Sequence, residues 1–397
     1  MNNQEEPRKI SILGSTGSIG SDTISVLQST SNTYRVLAIT AHESVDLLAQ
    51  QAHVLKPEFV VIANEGKYRE LKRLLSGTKS RLAAGDEAVL EAASLKTDWT
   101  MAAIVGAVGL KPVLTSIGHG GTVALANKES LVCAGELLAS EAKKSGATLL
   151  PVDSEHNGVF QSFDFNNPES VEKIYLTASG GPFLDFNKAD LKYVTPEEAV
   201  KHPNWDMGPK ISVDSATMMN KALEVIEAFH LFPINISQID ILIHPESIVH
   251  SMVSYCDGSF LAHLGNPDMR IPIAYALSWP KRMPLRGPRL DITAVGKLTF
   301  RRASRKQFPA LRLADEVLEE GGASAIVMNA ANEVAVQSFL QHKISFLSIL
   351  KIVEATLARI KYNSAQSIEE ILSIDNEVRR MTQDLIAALD YWVEWPT

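Results

Sequence analysis

Gly14-Ser15-Thr16-Gly17-Ser18-Ile19-Gly20 stands between an apolar run at residues 9–13 and a segment of helical spacing at residues 21–27. A strand that ends in a glycine-rich turn and feeds a helix is the mark of a dinucleotide-binding unit. The glycines let the backbone approach a pyrophosphate, and the helix N-terminus favours its negative charge. The spacing is GxxGxxG, a variant of the usual fingerprint; the plainer alternative is a tight turn that binds nothing.

The pattern continues outward from this turn. Residues 34–40 read as a second strand, Val45–Leu55 as a helix and residues 59–63 as a third strand. An apolar run at 101–107, a helix at 110–118 and strands at 122–126 and 148–152 follow. Strands alternating with helices predict a parallel sheet covered on both faces. Beyond residue 152 the alternation stops. Residues 173–177, Ile239–Ile243 and Val249–Tyr255 read as strands, and 260–263 as a partner of the last. One long helix is expected over 216–229, so this part is α+β. Residues 280–289, rich in Pro and basic side chains, read as a connector. From residue 311 the pattern is helical, with apolar spacing at 323–340, 345–360 and 367–389, which describes a small bundle.

The whole is α/β with three parts. They are a Rossmann-like dinucleotide domain over 1–152, a central α+β catalytic and dimerising domain over 153–290, and a helical bundle over 312–397 after a linker at 291–311. A length of 397 residues suits two or three domains. A hydrophobic share of 45% with 21% charged residues is that of an ordinary soluble globular protein. The net charge of −8, without blocks of like charge, argues against nucleic-acid binding. An anionic substrate then needs a locally basic pocket. Cys133 and Cys256 imply no disulfide framework and suit a reducing compartment. Residues 1–8 lack the apolar core of a signal peptide, and no apolar run is long enough to span a bilayer. A cytoplasmic location without a membrane partner is expected.

Five further stretches carry chemistry. Asn127-Lys128-Glu129 follows an apolar strand, where loops line the binding crevice of such sheets, so Asn127 and Glu129 are placed to face cofactor and Lys128 substrate. Asp153-Ser154-Glu155-His156 follows another strand; on an extended chain Asp153 and Glu155 share a face, and two adjacent carboxylates call for a cation or proton between them. Oxygen-only ligation suits Mg²⁺ or Mn²⁺. In Asp214-Ser215…Asn220-Lys221…Glu224, Asp214 or Ser215 is expected to cap the helix, Lys221 to hold a phosphate and Glu224 to be a third metal carboxylate. Ser179-Gly180-Gly181 offers a hydroxyl and backbone N–H groups to an anion. Residues 202–208 read as a lid with Trp205 and Met207 exposed. Taken singly, each has a bland reading as a helix start, a solvated ion pair or a core-anchored loop.

At the end of the second strand an acid binds the 2′-hydroxyl of NAD, while basic or neutral polar groups admit the 2′-phosphate of NADP. His42 and Ser44 suit the phosphate, and Glu43 does not if it points inward.

Together and in this order, the stretches closely resemble the 1-deoxy-D-xylulose 5-phosphate reductoisomerase family of the methylerythritol phosphate route to isoprenoids. The resemblance rests on GSTGSIG at 14–20, ALANKESLV at 124–132, PVDSEHN at 151–157, LTASGGPF at 176–183 and HPNWDMG at 202–208. It continues through KISVDSATMMNKALEVIEA at 210–228, HPESIVHSMV at 244–253, GNPDMRIPIA at 265–274 and NAANEVAV at 329–336. It implies an NADP-dependent oxidoreductase with one divalent cation (Mg²⁺, Mn²⁺ or Co²⁺), acting as a homodimer. By resemblance Asp153, Glu155 and Glu224 ligate the metal. Ser179, Ser215, Asn220 and Lys221 hold the substrate phosphate, and Lys128 and Ser154 touch its hydroxyls. His202, Trp205 and Met207 form the lid, with Lys128, Glu155 and His202 in catalytic roles. Thr16, Gly17, Ser18, Ile19, Asn127, Glu129 and Gly208 contact NADPH, with His42 and Ser44 near its 2′-phosphate. The chain departs from many family members at His42-Glu43-Ser44, where they carry a basic or small polar segment.

The implied reaction breaks and remakes a carbon–carbon bond, then reduces the branched aldehyde phosphate with NADPH. Retro-aldol cleavage and a concerted ketol shift both suit these residues. Two rivals stand beside this reading. A homoserine or aspartate-semialdehyde dehydrogenase shares the domain order but needs no Asp-Ser-Glu triplet. A nucleotide-sensing protein with a dead site would not need Lys128, Asp153, Glu155, Glu224 and His202 together.

Overall fold

The computed structural model describes residues 6–30, 34–187, 189–205 and 207–390. Residues 1–5 and 391–397, assigned above to the first and last domains, and Asp206 of the expected lid lie outside the described residues. The chain clusters into two compact units. One draws on Met1–Ser130, Glu136–Asn157 and Asp268–Arg289, the other on Leu131–Gly135, Gly158–Pro267 and Leu290–Thr397.

The first unit is built on seven strands among the described residues: β1 (Arg8–Leu13), β2 (Tyr34–Ala41), β3 (Phe59–Ile62), β4 (Arg81–Ala84), β5 (Trp99–Ala102), β6 (Thr122–Leu125) and β7 (Thr148–Pro151). All pairings are parallel, in the order β4-β3-β2-β1-β5-β6-β7. β3 and β5 are buried along their whole length, as a doubly covered parallel sheet requires. Leu13, Ala38, Phe59 and Val61 pack there with Ala88, Val89, Ala92 and Ala93 of the Asp86–Ala93 helix. The chain returns at Arg270–Ser278, where the carbonyl of Ala276 accepts the buried Trp99 indole N–H at 3.0 Å. That bond spares a fully buried indole an unpaired donor.

The second unit holds a mixed sheet: β8 (Val171–Ala178), β9 (Ile239–Ile243), β10 (Val249–Tyr255), β11 (Phe260–Leu264) and β12 (Arg301–Arg302), ordered β11-β10-β8-β9-β12. β10 and β11 pair antiparallel, as their sequence pattern implies. Ala222, Leu223 and Ile226 of the Met219–Leu231 helix share one core with Ile174, Leu176 and Ile241 of this sheet. The tail folds into helices Pro309–Glu320, Ser324–Leu340, Phe346–Arg359 and Ile368–Asp390. Ser324–Leu340 is buried around most of its circumference, as befits the centre of a bundle. No helix among the described residues is long and apolar enough to cross a membrane.

Two local expectations are corrected. Residues 216–229 do not form one helix capped by Asp214 or Ser215. Pro209–Thr217 and Met219–Leu231 are separate helices joined at Met218, which adopts a left-handed conformation (φ 63°, ψ 10°). Asp214 and Ser215 lie inside the first helix, started by Pro209, whose missing N–H costs nothing there. Met218 is 2% exposed, so its burial offsets the cost of positive φ. Asp153 and Glu155 do not alternate on an extended chain either. The Ser154–Ser162 helix begins between them, and the Asp153 carbonyl accepts from Asn157 N at 2.8 Å.

Candidate active site

In the first unit, the three glycines of the turn after β1 have different tasks. Gly14 has φ 86°, and a Cβ there would lie 2.6 Å from the Ala103 carbonyl oxygen. A Cβ on Gly20 would lie 2.3 Å from the Gly14 oxygen, so this position sets the close packing of turn on helix. At Gly17 the nearest atom would be 3.5 Å away, and the residue is exposed. Gly17 also caps the Ser18–Ser29 helix without a side-chain hydrogen bond, so the first helical N–H groups face outward, suited to an anion. The turn is held from behind: Ser15 Oγ donates to Gln51 Oε1 at 2.7 Å, and Gly14 N donates to Thr40 Oγ1 at 3.0 Å. Thr16 and Ile19 are half-buried and Ser18 is exposed.

At the end of β2, His42, Glu43 and Ser44 are all exposed. The Glu43 carboxylate accepts from the Asn64 amide at 3.3 Å and stands 3.9 Å from His42 Nδ1. It therefore runs along the surface toward Asn64.

The Asn127 side chain caps the Lys128–Ser145 helix by accepting from Ser130 N at 2.8 Å. Its amide donates to the carbonyls of Ile104 and Gly106. Asn127 thus ties together the loops after β5 and β6, while Glu129 beside it is buried. Lys128 and Asp153 form an ion pair at 3.1 Å. His156, fully buried, places Nδ1 3.3 Å from the other Asp153 oxygen. Ser154 Oγ donates to Glu155 at 2.6 Å. Asp153 and Glu155 each bring a carboxylate oxygen to within 4.8 Å of the other's. Two carboxylates gathered at one helix start form an oxygen donor set that fits a hard divalent cation.

In the second unit, Gly180 and Gly181 both have positive φ, and a Cβ on Gly181 would lie 2.9 Å from Ala216 Cα. Glycine here lets the Ser179-Gly-Gly loop sit against the helix segment that carries Ser215. Ser179 Oγ accepts from Gly181 N at 3.1 Å and lies 2.8 Å from His202 Nε2. His202 Nδ1 accepts from Asn204 N at 3.2 Å and Trp205 N at 3.0 Å, so the neutral ring carries its proton on Nε2 and donates it to Ser179. On the Met219–Leu231 helix, Lys221 (4% exposed) pairs with the fully buried Glu224, which also accepts from the Asn220 amide. A carboxylate this deep needs both partners.

Trp205 and Met207 are half-buried rather than exposed, and Gly208 is exposed. The Trp205 ring lies 6.0 Å from that of His250. The segment is anchored by a residue the sequence did not single out. Asn204 donates to the Pro245 carbonyl at 2.6 Å and to Ser247 Oγ at 2.8 Å. His244 organises that receiving turn: its Nε2 accepts from Ile248 N and Val249 N at 3.1 Å each. Burial alone would raise the Glu246 carboxyl, but bonds at Thr299 and its own backbone, with His244 nearby, hold it below the usual range. The one signal available in the sequence was the polar His-Pro-Glu-Ser run at 244–247.

A parallel sheet with this glycine turn, carrying a lysine-balanced carboxylate pair at its carboxyl edge, defines the class as a dinucleotide-binding α/β oxidoreductase. Family models of 1-deoxy-D-xylulose 5-phosphate reductoisomerase match residues 10–135, 149–232 (C-terminal domain) and 264–381 (a further C-terminal domain of DXP reductoisomerase). The chain is 51% identical over 381 residues to the 1-deoxy-D-xylulose 5-phosphate reductoisomerase of Rhodospirillum centenum, covering 96% of this chain and 95% of the relative. It is 50% identical over 384 residues to that of Zymomonas mobilis, covering 97% and 99%. The Zymomonas enzyme solved with NADPH superimposes with a TM-score of 0.91 at 49% identity, over 96% of this chain and 99% of that one. A DOX-P reductoisomerase solved with NADPH, fosmidomycin and magnesium gives 0.92 at 41% identity, with the same coverage. The chain belongs to the 1-deoxy-D-xylulose 5-phosphate reductoisomerase family.

Proposed function

We propose that this chain converts 1-deoxy-D-xylulose 5-phosphate to 2-C-methyl-D-erythritol 4-phosphate, a step toward isoprenoid precursors, using NADPH and one divalent cation. The observation that carries the reading is the Lys128–Asp153 pair beside Glu155, in the same unit as the glycine turn. It joins a hydride-cofactor site to a cation-binding donor set. When bound, the cation supplies a Lewis acid to the ketone and its neighbouring hydroxyl, and NADPH supplies hydride.

Asp153, Glu155 and Glu224 are the cation's ligands in this reading. Lys128 steadies oxyanion charge on the substrate, and Ser154 bonds a substrate hydroxyl. Glu155, whose carboxylate already accepts one proton donor, carries protons together with bound water. Ser179, Ser215, Asn220 and Lys221 hold the phosphate; the Ser179 hydroxyl accepts from His202 and Gly181 and so keeps its own proton to donate. His202, Trp205 and Met207 exclude water from the reacting carbons. Thr16, Gly17, Ser18 and Ile19 bind the pyrophosphate, Asn127, Glu129 and Gly208 the rest of the cofactor, and His42 and Ser44 the 2′-phosphate.

The reading extends to a homodimer. β11 lies at the edge of its sheet, with Phe260 55%, Leu261 52% and Leu264 37% exposed. An edge strand bearing three exposed apolar side chains favours pairing with another chain, here a second copy. Sedimentation of the wild type and a Leu261→Lys variant tests it. Carbon NMR of the product tests the chemistry: a branched skeleton supports the rearrangement, and an unbranched reduced sugar phosphate rejects it.

A further inference from the structure

The strand order places β5 beside β1 on the side away from β2, so successive connections leave the sheet in opposite directions there. Ligands of open α/β sheets bind in the crevice at such a switch point, outside the carboxyl ends of the strands. The adenine ribose of a dinucleotide lies toward the end of β2, so its nicotinamide half lies toward β5 and β6.

The loop after β5 is held firmly. Ala103 N donates to the Leu13 carbonyl at 2.9 Å, and Gly109 N donates to that of Gly106 at 3.1 Å. The Asn127 amide ties down the carbonyls of Ile104 and Gly106. A Cβ on Gly109 would stand 2.2 Å from that amide nitrogen. Ala103, Ala107 and Gly109 are buried, yet Val105 is 72% and Val108 75% exposed. A tied loop therefore holds two branched apolar side chains in water at the crevice, where a flat apolar ligand surface would cover them.

We propose that Val105 and Val108 form the apolar wall against which the nicotinamide ring of NADPH rests, fixing which face of the ring meets the substrate. The proposal rests on the NADPH reading above. The test titrates wild type and a Val105→Ser/Val108→Ser variant with NADPH and with 2′,5′-ADP, which carries the adenine half and 2′-phosphate but no nicotinamide. The expected result is a rise of about tenfold in the NADPH Kd, an unchanged 2′,5′-ADP Kd and an unchanged melting temperature. Val108→Ile should bind NADPH as the wild type does. Equal weakening of both ligands, or an unchanged NADPH Kd, overturns the proposal. Failure of the wild type to bind either ligand would instead reject the NADPH reading, and the proposal with it.

Discussion

The Lys128 ammonium lies 3.1 Å from an Asp153 carboxylate oxygen, with the two side chains 10% and 17% exposed. A charge pair this sheltered from water acts on whatever binds beside it far more strongly than a surface pair would. Lys128→Met keeps the bulk of the side chain and removes the charge. Turnover should fall about a hundredfold or more, as when an oxyanion donor is lost. Steady-state NADPH oxidation measures this, and near-normal kcat would remove Lys128 from the chemistry.

Cofactor choice follows from the end of β2. Glu43 is exposed and turned toward Asn64 rather than committed to a ribose. NADPH should therefore be preferred over NADH, and Glu43→Lys should strengthen the preference by adding a cation near the 2′-phosphate. Comparable kcat/KM for the two cofactors would show that His42 and Ser44 do not recognise the phosphate.

The parts that sequence made legible are those set by repeating pattern. The glycine turn, the strand–helix alternation and the β10–β11 hairpin depend on apolar period and backbone freedom, both written locally. β4 leaves no trace in the pattern, because Arg81–Ala84 is a four-residue edge strand without full burial and so lacks an apolar signature. The break at Met218 was hidden because methionine gives no sign of positive φ; it is imposed by burial of that side chain among residues distant in sequence. The helix start at Ser154 is hidden because the strand before it reads straight through. The anchoring role of Asn204 carries no local signal, because its partners, Pro245 and Ser247, are about forty positions away. The candidate residues themselves came from motif order rather than from any one spacing.

Trp205 is half-buried on a segment pinned through Asn204. Trp205→Ala should weaken binding of substrate and of a hydroxamate inhibitor such as fosmidomycin and slow turnover, with little loss of stability. Truncating a core Trp costs about 3–5 kcal/mol and lowers Tm markedly. Melting and kinetics on the same variant decide. A large fall in Tm with normal kinetics would make Trp205 a core anchor.

Arg270 grips Asp268 with its fork, at 2.6 Å on the closest contact. Burial alone would raise the Asp268 carboxyl, but the fork, the Arg270 backbone N–H and the positive charge hold it below the usual range. Because the folded-state value is depressed, this contribution is present above the unfolded value of about 3.9 and is lost as pH falls through the lower folded value. Arg270→Met should cost about 1–3 kcal/mol at neutral pH, and the gap to wild type should close on acidification. A pH-independent difference in denaturant midpoints would show that lost packing, not charge, accounts for it.

The proposed reaction needs a hydride cofactor, a divalent cation and a sugar phosphate that rearranges. The candidate carboxylates are not equivalent probes. Glu224→Gln would weaken the buried Lys221–Glu224 pair and endanger the fold, whereas Asp153 is partly exposed. The most direct measurement mixes the protein with 1-deoxy-D-xylulose 5-phosphate, NADPH and Mg²⁺ or Mn²⁺ and follows NADPH absorbance, with and without excess chelator. Substrate-dependent oxidation is expected, stopping in chelator and nearly lost in Asp153→Asn. Full activity in excess chelator, or no NADPH consumed with all components present, would contradict it.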